Sequence, residues 1–263
     1  MSRLQGATVL VTRPVHQAEN LSQLIASAGG LAVRFPTLEI AKLTDSEAEQ
    51  VVSVNLATYD WLVFISANAV TMHGYYSDSD RIKKFKSLRI AAIGKSTALA
   101  LNKAGYVVDL LAENGANTEA LLAMPELAQV NDQRFLIIRG QGGREELANV
   151  LRARGASVDY LDVYKRVMPS IDNAKLLELL KQQGLDIITI TSAEAVQNLL
   201  KMVGESCKQH LLKVPLVVVS QRIRKIAAEI GFKRIAVAES PSDIAILDTV
   251  IMSVTGGECG RSE

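Results

Sequence analysis

Four short stretches of this chain place small hydroxyl-bearing residues where a β-branched run gives way to a helix-period segment. They are Ser66-Ala67-Asn68, Gly94-Lys95-Ser96-Thr97, Thr191-Ser192-Ala193 and Ser220-Gln221-Arg222. In open α/β sheets ligands gather beyond the carboxyl ends of the strands, where helix N-termini offer N–H groups and partial positive charge. Ser66, Asn68, Gly94, Ser96, Thr97, Thr191, Ser192 and Ser220 are therefore candidate binding residues for an anionic ligand. Plain helix capping explains the same serines and threonines without any ligand. Arg13 and Arg139 each close an apolar run and are candidates for bidentate carboxylate recognition. An internal salt bridge is the alternative for both.

The elements that must position these residues come in two copies. Val9-Leu10-Val11-Thr12-Arg13 matches Phe135-Leu136-Ile137-Ile138-Arg139, with the arginines 126 residues apart. Leu21 and Gly29 meet Leu147 and Gly155 at that offset, and the segment from Asp60 to Val70 meets that from Asp186 to Val196. Gly105 meets Gly231, Glu113 meets Glu239, and Leu121 meets Leu247. One gap-free offset through separated blocks marks an internal repeat. Runs such as Leu62-Val63-Phe64-Ile65 and Leu216-Val217-Val218-Val219 suit parallel strands buried on both faces. Helical periodicity predicts helices over Gln17–Ala28, Ala67–Tyr76 and Ser96–Ala104, with counterparts in the second copy. Glycines at 29, 105, 155 and 231 fall where those helices end. Alternation of strand and helix predicts an α/β fold with a doubly wound parallel sheet in each unit.

Two equivalent extended stretches, 34–40 and 160–167, resist a division into simple halves. Both read as strands crossing between domains, so that each domain takes its first strand and helix from the other repeat.

Bulk properties exclude several classes. The 263 residues carry 29 basic and 28 acidic side chains, a net charge of +1, which gives no electrostatic case for nucleic acid. No run approaches the roughly 18 apolar residues of a membrane span, and the amino terminus has no apolar signal core. Cys207 and Cys259 form neither a disulfide framework nor a metal motif. A cytoplasmic, cofactor-free protein is expected. His16, His73 and His210 read as surface or cap residues, and Trp61 as core. Ser240-Pro241-Ser242-Asp243 reads as a helix start capped by Ser240 with proline first. The basic run 81–86 reads as a solvated connection and residues 257–263 as a flexible tail.

The segments Thr12-Arg13-Pro14, Phe64-Ile65-Ser66-Ala67-Asn68-Ala69-Val70 and Ala92-Ile93-Gly94-Lys95-Ser96-Thr97-Ala98 resemble the uroporphyrinogen-III synthase family. So do Val163-Tyr164-Lys165-Arg166, Thr191-Ser192-Ala193 and Ala238-Glu239-Ser240-Pro241-Ser242. The resemblance runs from about Val9 to Ile251 and rests on order and spacing, since each motif is short.

The resemblance implies two flavodoxin-like domains joined by a two-stranded β linker over 35–40 and 162–168. One domain is discontinuous (1–36 plus 168–256) and the other continuous (41–161), with the substrate in the cleft between them. It implies a lyase of porphyrin and heme biosynthesis that closes hydroxymethylbilane with ring D inverted, through a spiro intermediate and with loss of water. The implied chain is a monomer without cofactor, in transient contact with the preceding pathway enzyme, with no nucleic-acid or membrane partner. Tyr164 is the implied catalytic residue, a phenol that helps the departing hydroxyl leave as water; an aromatic that only packs the hinge is the alternative. A rival class is a two-domain binding module of the periplasmic-binding-protein type, which binds without turnover. A nucleotide site is weaker, since Gly140-Gln141-Gly142-Gly143 is only a partial phosphate loop.

Overall fold

The structure is a computed structural model that describes residues 3–76, 88–112 and 117–256. Glu113, the run 81–86, Cys259 and the tail 257–263 lie outside the described residues. The chain divides into two compact units, Met1–Glu39 with Val167–Glu263, and Ile40–Arg166.

The first unit is built on a five-stranded sheet. Its strands are β1 (Thr8–Val11), β2 (Leu31–Arg34), β9 (Ile187–Ile190), β10 (Leu216–Val218) and β11 (Ile235–Val237), in the order β11-β10-β9-β1-β2. Every pairing is parallel. Alternate residues feed two cores. Leu10, Ile188, Ile190, Leu216 and Val218 face helices α7 (Ala174–Lys181), α8 (Ala193–Val203), α9 (Glu205–Leu211) and α10 (Gln221–Ile230). Val9, Val11, Ile187 and Val217 face α1 (Val15–Ser27) and α11 (Asp243–Val254).

The second unit has six strands in the order β3-β8-β7-β4-β5-β6. These are β3 (Glu39–Ala41), β4 (Trp61–Phe64), β5 (Arg89–Ala92), β6 (Leu110–Leu111), β7 (Arg134–Gly140) and β8 (Ser157–Val167). Leu62, Phe64, Ile90, Leu136 and Ile138 face α2 (Asp45–Ser53), α3 (Ala67–Tyr76) and α4 (Lys95–Lys103). Trp61, Val63, Ala91, Phe135 and Ile137 face α5 (Thr118–Leu122) and α6 (Glu146–Ala153). The Trp61 ring stacks on Phe135 at 5.9 Å, and its indole N–H donates to Gln133 Oε1 at 2.9 Å.

Each sheet draws strands from both repeats, and one device stitches them. Asp186 Oδ2 accepts the Thr8 N–H at 2.7 Å, and its own N–H donates to the Thr8 carbonyl. Asp60 makes the same exchange with Arg134, its Oδ2 accepting at 2.8 Å. Both pairs obey the 126-residue offset. Each carboxylate satisfies an amide at a strand start that would otherwise lack a partner.

The stretch 34–40 is not one strand. Pro36, with no N–H to give a ladder, falls in an irregular segment between β2 and β3. The SPSD stretch also differs from expectation. Ser242 is the cap, its Oγ accepting the Ala245 N–H at 3.2 Å, and the helix begins at Asp243. The Pro241 carbonyl is instead held by Arg13. His73 is core, 2% exposed and edge-on to Phe64, because it falls on the buried stripe of α3.

Candidate active site

At the carboxyl edge of the second sheet, Ser66 ends the β4 connection and starts α3. Its Oγ accepts the Ala69 N–H at 3.1 Å, which is a helix cap. An accepting hydroxyl keeps its own proton, so capping leaves Ser66 able to donate. Asn68 lies half-buried in the same first turn. At the next turn Gly94 is the cap residue with φ +84°, a conformation that suits glycine. Thr97 is buried and donates from Oγ1 to the Ile93 carbonyl at 2.8 Å, while Ser96 and Lys95 are exposed.

Tyr164 reaches this edge from β8. It is 5% exposed, and its hydroxyl lies 3.4 Å from Ser66 Oγ, longer than a full O–H···O hydrogen bond. The next residue is anchored: Lys165 Nζ meets Glu47 Oε1 at 2.8 Å. That ammonium, together with the Thr44 hydroxyl and N–H, holds the Glu47 carboxyl down at about 2.

Arg139 ends up inside the fold. Its Nε donates to Asp162 Oδ1 at 2.9 Å, its guanidinium lies 3.5 Å from the Tyr160 ring centroid, and its Nη1 is buried without a partner among the described residues. Arg13 is likewise taken up, by the Asp243 carboxylate and by the Pro241 carbonyl at 2.9 Å. Asn20 donates to the other oxygen of Asp243 at 2.6 Å. Both guanidinium groups thus sit in ion pairs within their own units.

At the carboxyl edge of the first sheet, Ser192 Oγ accepts the Ala195 N–H at 3.1 Å and Ser220 Oγ the Ile223 N–H at 3.3 Å. Thr191 is half-buried beside Ser192. Glu194 puts a negative charge in the first turn of α8, whereas Arg222 is exposed in the first turn of α10. A buried polar chain underlies this edge. Thr12 donates to the Thr189 carbonyl at 2.8 Å, Thr189 to the Leu10 carbonyl at 3.1 Å, and Asn198 to the Thr37 carbonyl at 2.8 Å. It pins Thr37, two residues before the first unit gives way to the second.

In the second unit, then, the structure brings Ser66 and Tyr164 together. Sequence reasoning missed Gly140, which lies directly under the Tyr164 ring, and Asp162, Asp243 and Asn20, which engage the arginines. Asp162 was within reach, since it stands opposite Arg139 in adjacent parallel strands. Asp243, 230 residues from Arg13, left no local signal.

Among the described residues no cluster of three His, Cys, Asp or Glu is arranged to hold a metal, and no helix is long and apolar enough to cross a membrane. A cavity of about 270 Å³ lies at the opposite, amino edge of the first sheet, lined in part by Asp186, His210 and Arg234. None of the candidate residues lines it.

The family model for uroporphyrinogen-III synthase HemD matches residues 19–248. The chain is 32% identical over 243 residues to uroporphyrinogen-III synthase of Escherichia coli, covering 91% of this chain and 98% of that one. The fold is similar to that of a mutant uroporphyrinogen III synthase from Thermus thermophilus, with TM-score 0.65, 18% identity and coverage of 95% and 100% of the two chains. It is also similar to uroporphyrinogen-III synthetase from Helicobacter pylori, with TM-score 0.63, 15% identity and coverage of 93% and 98%. A family match over most of the chain, and a relative this similar along its full length, establish that the chain belongs to the uroporphyrinogen-III synthase family.

Proposed function

We propose that the protein cyclises hydroxymethylbilane to uroporphyrinogen III. The observation that carries this reading is the family match across residues 19–248. The substrate is an open-chain tetrapyrrole with eight carboxylates that closes unaided to the isomer with ring D uninverted. The enzyme's work is therefore steering. A barrier difference of about 3 kcal/mol between the two closures gives roughly a hundredfold preference.

In the proposed sequence the terminal C–O bond breaks and the hydroxyl leaves as water. The substituted carbon of ring D attacks the resulting cation to give a spiro intermediate. That intermediate opens and recloses with ring D inverted, and the ring proton released on closure balances the one taken by the leaving hydroxyl. Tyr164 gives the hydrogen bond or proton to the departing oxygen, and Ser66 Oγ, 3.4 Å away, is the neighbour that can pass or replace it.

Both units present capped helix starts at the carboxyl ends of their strands, at Ser66, Gly94, Ser192 and Ser220. We assign these turns, with Asn68, Ser96, Thr97 and Thr191, to substrate carboxylates. The exposed Lys95 and Arg222 in the same turns add the cationic arms. For Arg13 and Arg139 the internal ion pairs favour the structural role.

We further propose that each unit is flavodoxin-like. In the first sheet the strands in chain order lie 2-1-3-4-5. The second follows the same order once β7 and β8 are taken as its first two strands, with β3 added at the edge. A cytoplasmic monomer that receives its labile substrate from the preceding enzyme completes the reading. The test is to supply freshly generated hydroxymethylbilane and resolve the porphyrin isomers after oxidation.

A further inference from the structure

We propose that Gly140 is a positioning residue for Tyr164, a proposal that rests on the reading of Tyr164 as the phenol assisting hydroxyl departure. Strands β7 and β8 pair one to one from Arg134 opposite Ser157 to Arg139 opposite Asp162. The register then slips, and Gly140 faces Tyr164, leaving Val163 as an extra residue. Consecutive residues of a regular strand point to opposite faces. Val163 and Tyr164 nevertheless both enter the same core, against Leu136 and Ile138, as a bulge permits.

The bulge lays the Tyr164 ring across the Gly140 backbone. A Cβ on residue 140 would stand 2.4 Å from both Cε2 and Cζ of that ring and 2.9 Å from Cδ2. Contacts that short cannot be kept, so the ring would have to move. Gly140 is absent from the positive-φ glycines, so its backbone conformation does not itself require glycine. What requires it is the ring. With the ring flat on residue 140, the hydroxyl is delivered beside Ser66, and the Gln141 N–H donates to the Tyr164 carbonyl at 2.7 Å to hold the register. The absent side chain therefore sets where the phenolic proton lies.

The experiment is a double-mutant cycle read in kcat, KM and isomer ratio with fresh hydroxymethylbilane. Gly140→Ala should lower kcat by about the same factor as Tyr164→Phe, with KM changed less than about twofold. Added to Tyr164→Phe, it should lower kcat by less than about twofold further, since the hydroxyl it misplaces is already gone. If the two losses multiply, or if Gly140→Ala alone leaves kcat at the parent value, the positioning role is overturned. A Tyr164→Phe variant with parental kcat would instead remove the role of the phenol itself, so the two failures are distinguishable. Should Gly140→Ala not fold, Gly140→Ala/Tyr164→Ala decides the matter. With the ring removed the Cβ has room, and folding should recover; a double variant that stays unfolded overturns the proposal.

Discussion

Asp162→Ala should destabilise the protein more than its partly exposed position suggests. Arg139 is 9% exposed, and its guanidinium is a charged group. Its Nη1 has no hydrogen-bond partner among the described residues, and Asp162 is the acceptor for Nε. Removing one member of a buried pair costs about 3–5 kcal/mol. The Asp162 side chain is 35% exposed, so water reaches that side and the cost falls to about 2 kcal/mol. That corresponds to a drop of roughly 4 °C in melting temperature for a chain of this size. Arg139→Met removes the charge and leaves an apolar side chain against the Tyr160 ring, so the double variant should regain about half of the loss. Urea unfolding and scanning calorimetry read the four corners of the cycle. The same variants decide what Arg139 is for. A guanidinium holding a substrate carboxylate contributes about 1.5–3 kcal/mol, a tenfold or larger rise in KM when removed. We expect KM for Arg139→Met within about twofold of the parent. A tenfold rise in KM with unchanged stability would refute the structural assignment.

Two further outcomes follow from the polar anchors. Asn198→Ala should cost about 1–3 kcal/mol in denaturant unfolding, because it leaves the Thr37 carbonyl buried without its donor; a change under about 0.5 kcal/mol would mean that water replaces the amide. The Glu47 carboxyl should titrate at about 2 by NMR, against an ordinary glutamate value of about 4.3 when unfolded. Its folded value is depressed, so its stabilisation is complete above about 4.3 and is lost as pH falls towards 2. Lys165→Met should return the titration most of the way to the ordinary range; a midpoint still near 2 would show that Thr44 alone sets it.

Much of the framework was legible because it rests on local patterns. Leu62-Val63-Phe64 and Ile187-Ile188 read as doubly buried strands and are so, and Ser66, Ser192 and Ser220 stand at helix starts as their neighbours implied. The 126-residue offset reappears physically in the paired roles of Asp60 and Asp186. The rest depended on contacts that sequence spacing does not encode. The role of Gly140 appears only once a one-residue slip in β8 places Tyr164 opposite it. Arg13 meets Asp243 because α1 and α11 share one face of the first sheet, a neighbourhood set by topology. The solitary histidine on α3 looked like a surface residue, yet the periodicity that buries Ala69 and Val70 also carries His73 inward.

Ring closure directed by this chain is the activity to be measured. Its most direct test is the isomer ratio of the uroporphyrin recovered by oxidation after the purified protein acts on freshly generated hydroxymethylbilane, with no metal, nucleotide or flavin added. Predominantly the type III isomer is expected, with the type III fraction rising with enzyme concentration until it outruns spontaneous closure. Product that remains type I at every enzyme concentration would contradict it.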